Sequence, residues 1–164
     1  MGRFQPFHRE HLEYALAAKA RCRFLWVGLS NCLKSGGGEG HRLLEESNPL
    51  SFGQRYQLVS AALIEAGCRP GEFGILPCPV ELPELLGQFV DPETRVFLTV
   101  NEAWGEEKVG LFETLGYEVE VLWRREKGIS GTEIRKMMAD GDERASAFLS
   151  PEVRRLLEEW KLLK

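Results

Sequence analysis

The chain has 164 residues, 43% of them hydrophobic, with a formal net charge of -4. That size fits one globular domain spanning residues 1–164 with a sizeable core. No acidic or basic block dominates, which argues against nucleic acid or a membrane surface as partner, and no apolar run approaches the ~20 residues of a membrane span.

In chain order, "GRFQPFHRE" is polar where a signal peptide would be apolar, so a cytoplasmic protein is expected. "HLEYALAAKARC" places Leu12, Ala15, Leu16 and Ala20 at helical spacing. "FLWVGLS" is a short apolar run ending in small residues, a buried strand. "NCLKSGGGEGHRLLEES" has loop composition, and loops of that length are commonly functional or disordered. "NPLSFGQRYQLVSAALIEAG" reads as a turn, a cap at Ser51 and a helix closed by Gly67. "FGILPCPV" and "RVFLTV" are the next strands, "WGEEKVGLFETLG" is a helix, and "EVEVLW" is a fourth strand. "ISGTEIRKMMADGD" runs from Ser and Thr into a helix. "SPEVRRLLEEWKLL" is the last helix, with Ser150 as N-cap and Pro151 at its first position.

Strands alternating with helices predict an α/β fold: a parallel sheet covered on both faces. Ligands in such sheets bind beyond the carboxyl ends of the strands. The four cysteines, Cys22, Cys32, Cys68 and Cys78, lack paired-ligand or redox spacing and read as reduced structural thiols rather than a zinc site.

Two segments carry chemistry. His8 and His11 are three residues apart at the start of a helix, on one face. Their N–H groups, the positive end of the helix dipole and Arg3 make a corner suited to phosphate. The same pair also suits surface histidines at an ordinary helix start. Metal ligation favours i, i+4 spacing with a nearby acid, and Glu10 is read as pointing to a different face. Ser130, Gly131, Thr132 and Arg135 open a second helix with hydroxyls, a flexible glycine and free N–H groups. An ordinary cap, with Glu133 three residues after Ser130, explains that segment equally well.

Together these segments resemble the HxGH nucleotidyltransferase superfamily, of cytidylyltransferase-like enzymes. "GRFQPFHREH" is similar to its GxFxPxHxGH signature and "ISGTEIR" to its ISSTxxR signature. "NPLSFGQRYQLV" looks like the NPFTAGERxxM segment of archaeal-type nicotinamide mononucleotide adenylyltransferases. The matches follow family order and spacing over most of the chain. The resemblance implies a Rossmann-like, doubly wound parallel sheet with helices on both faces. Its first strand is truncated here, since only Met1 precedes Gly2. Either the true chain starts upstream of Met1, or the sheet closes the gap in another way.

The implied activity moves a nucleoside monophosphate, AMP from ATP, onto a small phosphorylated acceptor such as nicotinamide mononucleotide, releasing pyrophosphate. The alternatives are CTP as donor, another phosphorylated acceptor, or a nucleotide-binding relative without catalysis. The resemblance puts His8 and His11 on the α- and β-phosphates and Arg3 on phosphate charge. Ser130, Gly131, Thr132 and Arg135 fall at the β/γ end, with Gly2, Phe4 and Asn101 completing the nucleotide site. Mg²⁺ accompanies the triphosphate, with no protein metal ligand named. A homo-oligomer is implied. The departures lie on the acceptor side. Glu10 stands where the family has Gly, and would crowd the nucleotide or touch an exocyclic amine or ribose hydroxyl. Ser47 stands where the relatives have Arg, with Arg42 or Arg55 as substitutes, although a structural role on the helix face suits Arg55 better. Phe89 and Trp104 are the candidates to replace the aromatic stack, with burial in a core the commoner fate of either. Lys34 and His41 sit in a Gly-rich insertion that reads as a lid or a solvent loop.

Overall fold

The computed structural model describes residues 1–32, 47–101 and 103–163. Helix α1 (Arg9–Lys19) leads into strand β1 (Leu25–Leu29). Then come α2 (Phe52–Glu65), β2 (Phe73–Pro77), β3 (Val96–Val100), α3 (Ala103–Thr114), β4 (Val119–Arg124), α4 (Gly131–Asp140) and α5 (Pro151–Glu159). Two 3-10 segments, Pro83–Gln88 and Glu143–Phe148, lie where no regular element was expected. The predicted helices and strands are all present, with ends shifted by a few residues.

Local chemistry sets the helix ends. Ser51 Oγ accepts from Gln54 N–H at 3.2 Å while Gln54 Oε1 accepts from Ser51 N–H at 2.9 Å, a reciprocal cap that starts α2. Past its end, Gly67 takes φ +92, a conformation that side-chain-bearing residues resist. Ser150 precedes α5 as expected, but its hydroxyl makes no cap bond, and Pro151 at the first position fixes the entry instead.

The strands form two parallel pairs, β1 with β2 and β3 with β4. Helix α2 packs on β1 and β2, α3 on β3 and β4, and α1 touches both β1 and β4. One apolar cluster joins Leu58, Val59 and Leu63 of α2 to Val153, Leu156 and Leu157 of α5. A second gathers Val96, Leu98, Phe112 and Tyr117 under the other pair. Each such side chain contributes roughly 1.5–3 kcal/mol when fully buried.

The doubly wound sheet is therefore divided. The edges of β1 and β3 that face each other are not hydrogen-bonded together. Between them lies a groove of ≈ 420 Å³ lined by Leu25, Val27, Val96, Phe97, Ala15 and Ala18. Among the described residues only Gly2 enters this interval as a strand would. Its N–H donates to Gly28 O and its carbonyl accepts from Ser30 N–H, both at 3.0 Å, in a parallel bridge to Leu29. The Met1 ammonium donates to Tyr14 Oη at 3.0 Å, and burial pushes its pKa down to about 5.

The groove offers two rows of strand-edge N–H and C=O groups above an apolar floor. An apolar five-residue segment added before Met1, in line with the Gly2 bridge, is expected to raise the thermal midpoint by about 5 °C or more, since a kilocalorie moves a chain of this size by ~2–4 °C. A Gly/Ser segment of equal length is expected to leave it unchanged. Equal midpoints for the two extensions in calorimetry would contradict this reading of the groove.

Candidate active site

A cleft of ≈ 210 Å³ opens where β1, β3 and β4 end and α1, α3 and α4 begin. Both segments singled out in the sequence line it: Gly2, Arg3, Phe4, His8 and His11 on one side, Ser130, Gly131, Thr132 and Arg135 on the other. Asn101 and Trp104 line it too. Phe89 does not; it packs against the second apolar cluster, the ordinary fate of an aromatic beside a 3-10 turn. Arg42, Lys34 and His41 lie outside the described residues.

Residues 3–6 form a tight turn that delivers the two imidazoles. Gln5 is buried, and its side-chain amide donates to Leu50 O at 3.0 Å and accepts from Leu50 N–H at 2.9 Å. Arg55 is buried beneath the same turn. Its guanidinium donates to the carbonyls of Arg3, Ser30 and Asn31 at 3.0, 2.6 and 3.1 Å. Its role is structural, as the helix-face reading anticipated. Phe4 holds φ 52 with its ring buried edge-on to Phe7 and His11.

His8 is the N-cap of α1, and the two imidazoles lie 3.6 Å apart between centroids with planes tilted by 30°. His8 N–H points its donor at His11 Nδ1, 3.4 Å away. With Nδ1 accepting, the proton of neutral His11 sits on Nε2. His8 Nδ1 is buried with no hydrogen-bond partner. Burial, and second the charge of Lys127, pushes the His8 pKa down to about 4. Burial, then His8, hold His11 well below the usual imidazole range. Both rings are neutral N–H donors at pH 7.

Across the cleft, Ser130 is engaged as a helix cap. Its hydroxyl accepts from Glu133 N–H at 3.2 Å and donates to Glu133 Oε2 at 2.6 Å. That is the ordinary-cap reading, and it leaves Gly131 and Thr132 to present the helix start. Arg135 donates to Gln5 O at 2.7 Å and to Thr132 Oγ1 at 3.2 Å, bridging the two segments. A Cβ on Gly131 would meet Gln5 O at 2.8 Å, so glycine lets the two backbones touch.

Glu10 lines the same cleft as the histidines, where a residue that crowds or touches the nucleotide would sit. Several other cleft residues carried no clear signal in the sequence. Lys108, Tyr14, Trp123, Arg125 and Lys127 also line the cleft. Lys108 Nζ sits 4.4 Å from the Trp104 ring centroid. Their i, i+4 spacing on α3 was the one available clue. Trp123 follows a break in strand register, where Leu98 pairs with Val121 but Thr99 with Trp123. Such a bulge re-aims a side chain.

Two adjacent helix starts, paired neutral imidazoles and a cationic lining make a cleft whose chemistry suits anionic groups. The chain is 40% identical, over 96% of its length and 88% of the relative's, to the phosphonoformate cytidylyltransferase of Streptomyces viridochromogenes. It belongs to the cytidylyltransferase-like nucleotidyltransferase superfamily and is a nucleotidyltransferase. It is also 28% identical to the nicotinamide-nucleotide adenylyltransferase of Saccharolobus solfataricus, over 96% of the chain and 87% of that protein. The enzyme of the same name from Ignicoccus hospitalis is 29% identical, over 99% and 91%. Among solved structures, a bifunctional NMN adenylyltransferase/ADP ribose pyrophosphatase from Francisella tularensis superposes with a TM-score of 0.63 at 18% identity. That match covers 98% of this chain and 52% of the other, so this chain spans about half that protein, and the likeness establishes the Rossmann-like fold. A second structure of that enzyme, complexed with AMP and a manganese ion, superposes with a TM-score of 0.62. No family model matches the chain.

The folded protein keeps His8 neutral down to about pH 4, whereas an unfolded chain protonates it near 6.5. Stability from this group is therefore full above pH 6.5 and lost as pH falls from 6.5 through 4. Melts followed by circular dichroism are expected to show that loss, and His8→Gln to show a smaller one over the same range. Identical pH profiles for the two proteins would contradict the assignment.

Proposed function

We propose that the protein is a cytidylyltransferase that transfers CMP from CTP to a small phosphonate or phosphate acid, releasing pyrophosphate. The observation that carries this reading is Lys108. Its ammonium covers the face of Trp104, the one aromatic ring among the expected acceptor stackers that lines the cleft. The nicotinamide of nicotinamide mononucleotide is a cationic ring, and stacking there would set it against Lys108. A compact polyanion such as phosphonoformate gains from the same charge. The 40% identity to a phosphonoformate cytidylyltransferase supports the donor and the acceptor class. The second reading, AMP from ATP onto nicotinamide mononucleotide, rests on the archaeal relatives and on Asn101 in the cleft.

In either case an acceptor oxygen attacks the α-phosphorus in line. A bond forms from that oxygen to phosphorus as the bond to the β-phosphate oxygen breaks. His8 and His11 donate N–H to phosphoryl oxygens where charge accumulates, without moving a proton. Arg3 offsets phosphate charge, and Gly131 and Thr132 at the start of α4 receive the departing pyrophosphate, with Arg135 holding that wall. Gly2 and Phe4 form the floor beneath the nucleotide. Among the described residues no group of three His, Cys, Asp or Glu could hold a metal. Mg²⁺ would come with the triphosphate, held largely by phosphate oxygens and water, and no step is assigned through it. The reading is of one nucleotidyltransferase domain over residues 1–164, acting in the cytoplasm on small molecules, as a homo-oligomer. No helix among the described residues is long and apolar enough to cross a membrane.

Pyrophosphate release with CTP or ATP, each paired with phosphonoformate or nicotinamide mononucleotide, decides between the readings. CTP with phosphonoformate is expected to give the highest kcat/KM. His8→Ala and His11→Ala are each expected to lower kcat by ~10²–10³ with nucleotide affinity retained. Preferred turnover of ATP with nicotinamide mononucleotide would establish the second reading.

A further inference from the structure

We infer that Glu10 is a positioning residue: its carboxylate latches α1 to the loop after β4 and thereby sets the distance between the two walls of the nucleotide cleft. Glu10 Oε1 accepts from Gly128 N–H at 2.8 Å, joining residues 118 positions apart. A Cβ on residue 128 would stand 2.7 Å from that oxygen, a contact the flexible end of the Glu10 side chain relieves by a small rotation. The contact uses the Gly128 main chain, and helix formation alone does not call for the carboxylate at Glu10.

The rest of the same α1 face repeats the attachment. Glu13, one turn on, pairs with Arg125, and the Tyr14 ring meets Trp123 edge-on at 6.5 Å. Residues 10, 13 and 14 share one side of a helix, and their contacts fall in order along residues 123–128. The Glu13–Arg125 pair is solvent-exposed and salt-screened, so it contributes little. The Glu10 contact is exposed as well, but its donor is a backbone N–H, so it ties the main chain of the loop itself to α1.

This loop is what brings Ser130, Gly131 and Thr132 to the histidines. Residues 124–128 are exposed and leave the sheet after Arg125 N–H donates to Val100 O at 3.0 Å. Beyond them, Gly131 and Arg135 close on Gln5 O. Glu10 therefore fixes the near end of a segment whose far end is fixed at Gln5. A carboxylate beside bound phosphates repels them, and its engagement with Gly128 N–H offsets part of that repulsion.

The consequence for catalysis rests on the proposed nucleotidyl transfer; the latch itself does not. Amide hydrogen exchange of residues 124–131 in the free protein reads the latch without any substrate. Glu10→Ala is expected to speed exchange there by tenfold or more, while Glu10→Gln, which keeps an accepting oxygen, restores most of the protection. Unchanged exchange in Glu10→Ala would overturn the latch whatever the enzyme's substrate proves to be. In turnover assays Glu10→Ala is expected to raise the KM for the nucleotide about tenfold, with Glu10→Gln near the parent. If Glu10→Gln is as impaired as Glu10→Ala and the CTP-to-ATP preference changes, Glu10 touches the base directly and the positioning role is wrong. A thermal midpoint that falls with unchanged kinetic constants would reduce Glu10 to a stabilising contact and likewise overturn it.

Discussion

The site depends on one buried amide. Gln5 exchanges two hydrogen bonds with the backbone of Leu50, and its own carbonyl receives Arg135. Three segments far apart in sequence are pinned at that residue: the turn before α1, the approach to α2 and the start of α4. Removing the side chain would leave both backbone groups of Leu50 buried and unpaired, at about 1–3 kcal/mol each. Arg55 reinforces the turn from below through three carbonyls. Phe4 pays for its left-handed backbone, roughly 1–2 kcal/mol for a residue with a side chain, by burying its ring against Phe7 and His11.

The electrostatics of the cleft run against those of the chain. The protein is net acidic. Yet Arg3, Lys108, Arg125, Lys127 and Arg135 line the cleft, and Glu10 is the one carboxylate among its described lining residues. Such an inversion focuses positive potential where an anion must enter. The histidines add directed donors rather than charge, because burial holds both neutral. Neutral imidazoles stacked at 3.6 Å avoid the repulsion that two imidazolium rings would suffer. The arrangement suits a reaction in which charge is redistributed over phosphoryl oxygens and no covalent enzyme intermediate forms.

Much of this was legible in the sequence because its signals are local. Alternating apolar runs and Ser–Gln or Ser–Glu caps gave the elements, and the two short motifs gave both walls of the cleft. What was not legible is non-local. The clasp between Gln5 and Leu50 spans 45 positions and the Glu10–Gly128 contact 118, with no periodicity to betray either. The partner of Glu10 was not legible because a helix wheel has no knowledge of the loop that comes to meet it. Phe89 took the commoner fate of an aromatic and packs against the second apolar cluster. The sheet is divided as the short lead before Gly2 suggested: among the described residues Gly2 bridges to Leu29, and the facing edges of β1 and β3 are not paired with each other.

The central claim is that both motifs grip the same triphosphate. Titrating a non-hydrolysable CTP analogue into ¹⁵N-labelled protein tests it most directly. The account predicts that the backbone amides of His11, Gly131 and Thr132 shift together, along one binding curve with one Kd. Shifts confined to one motif, or two motifs with separable Kd values, would contradict it.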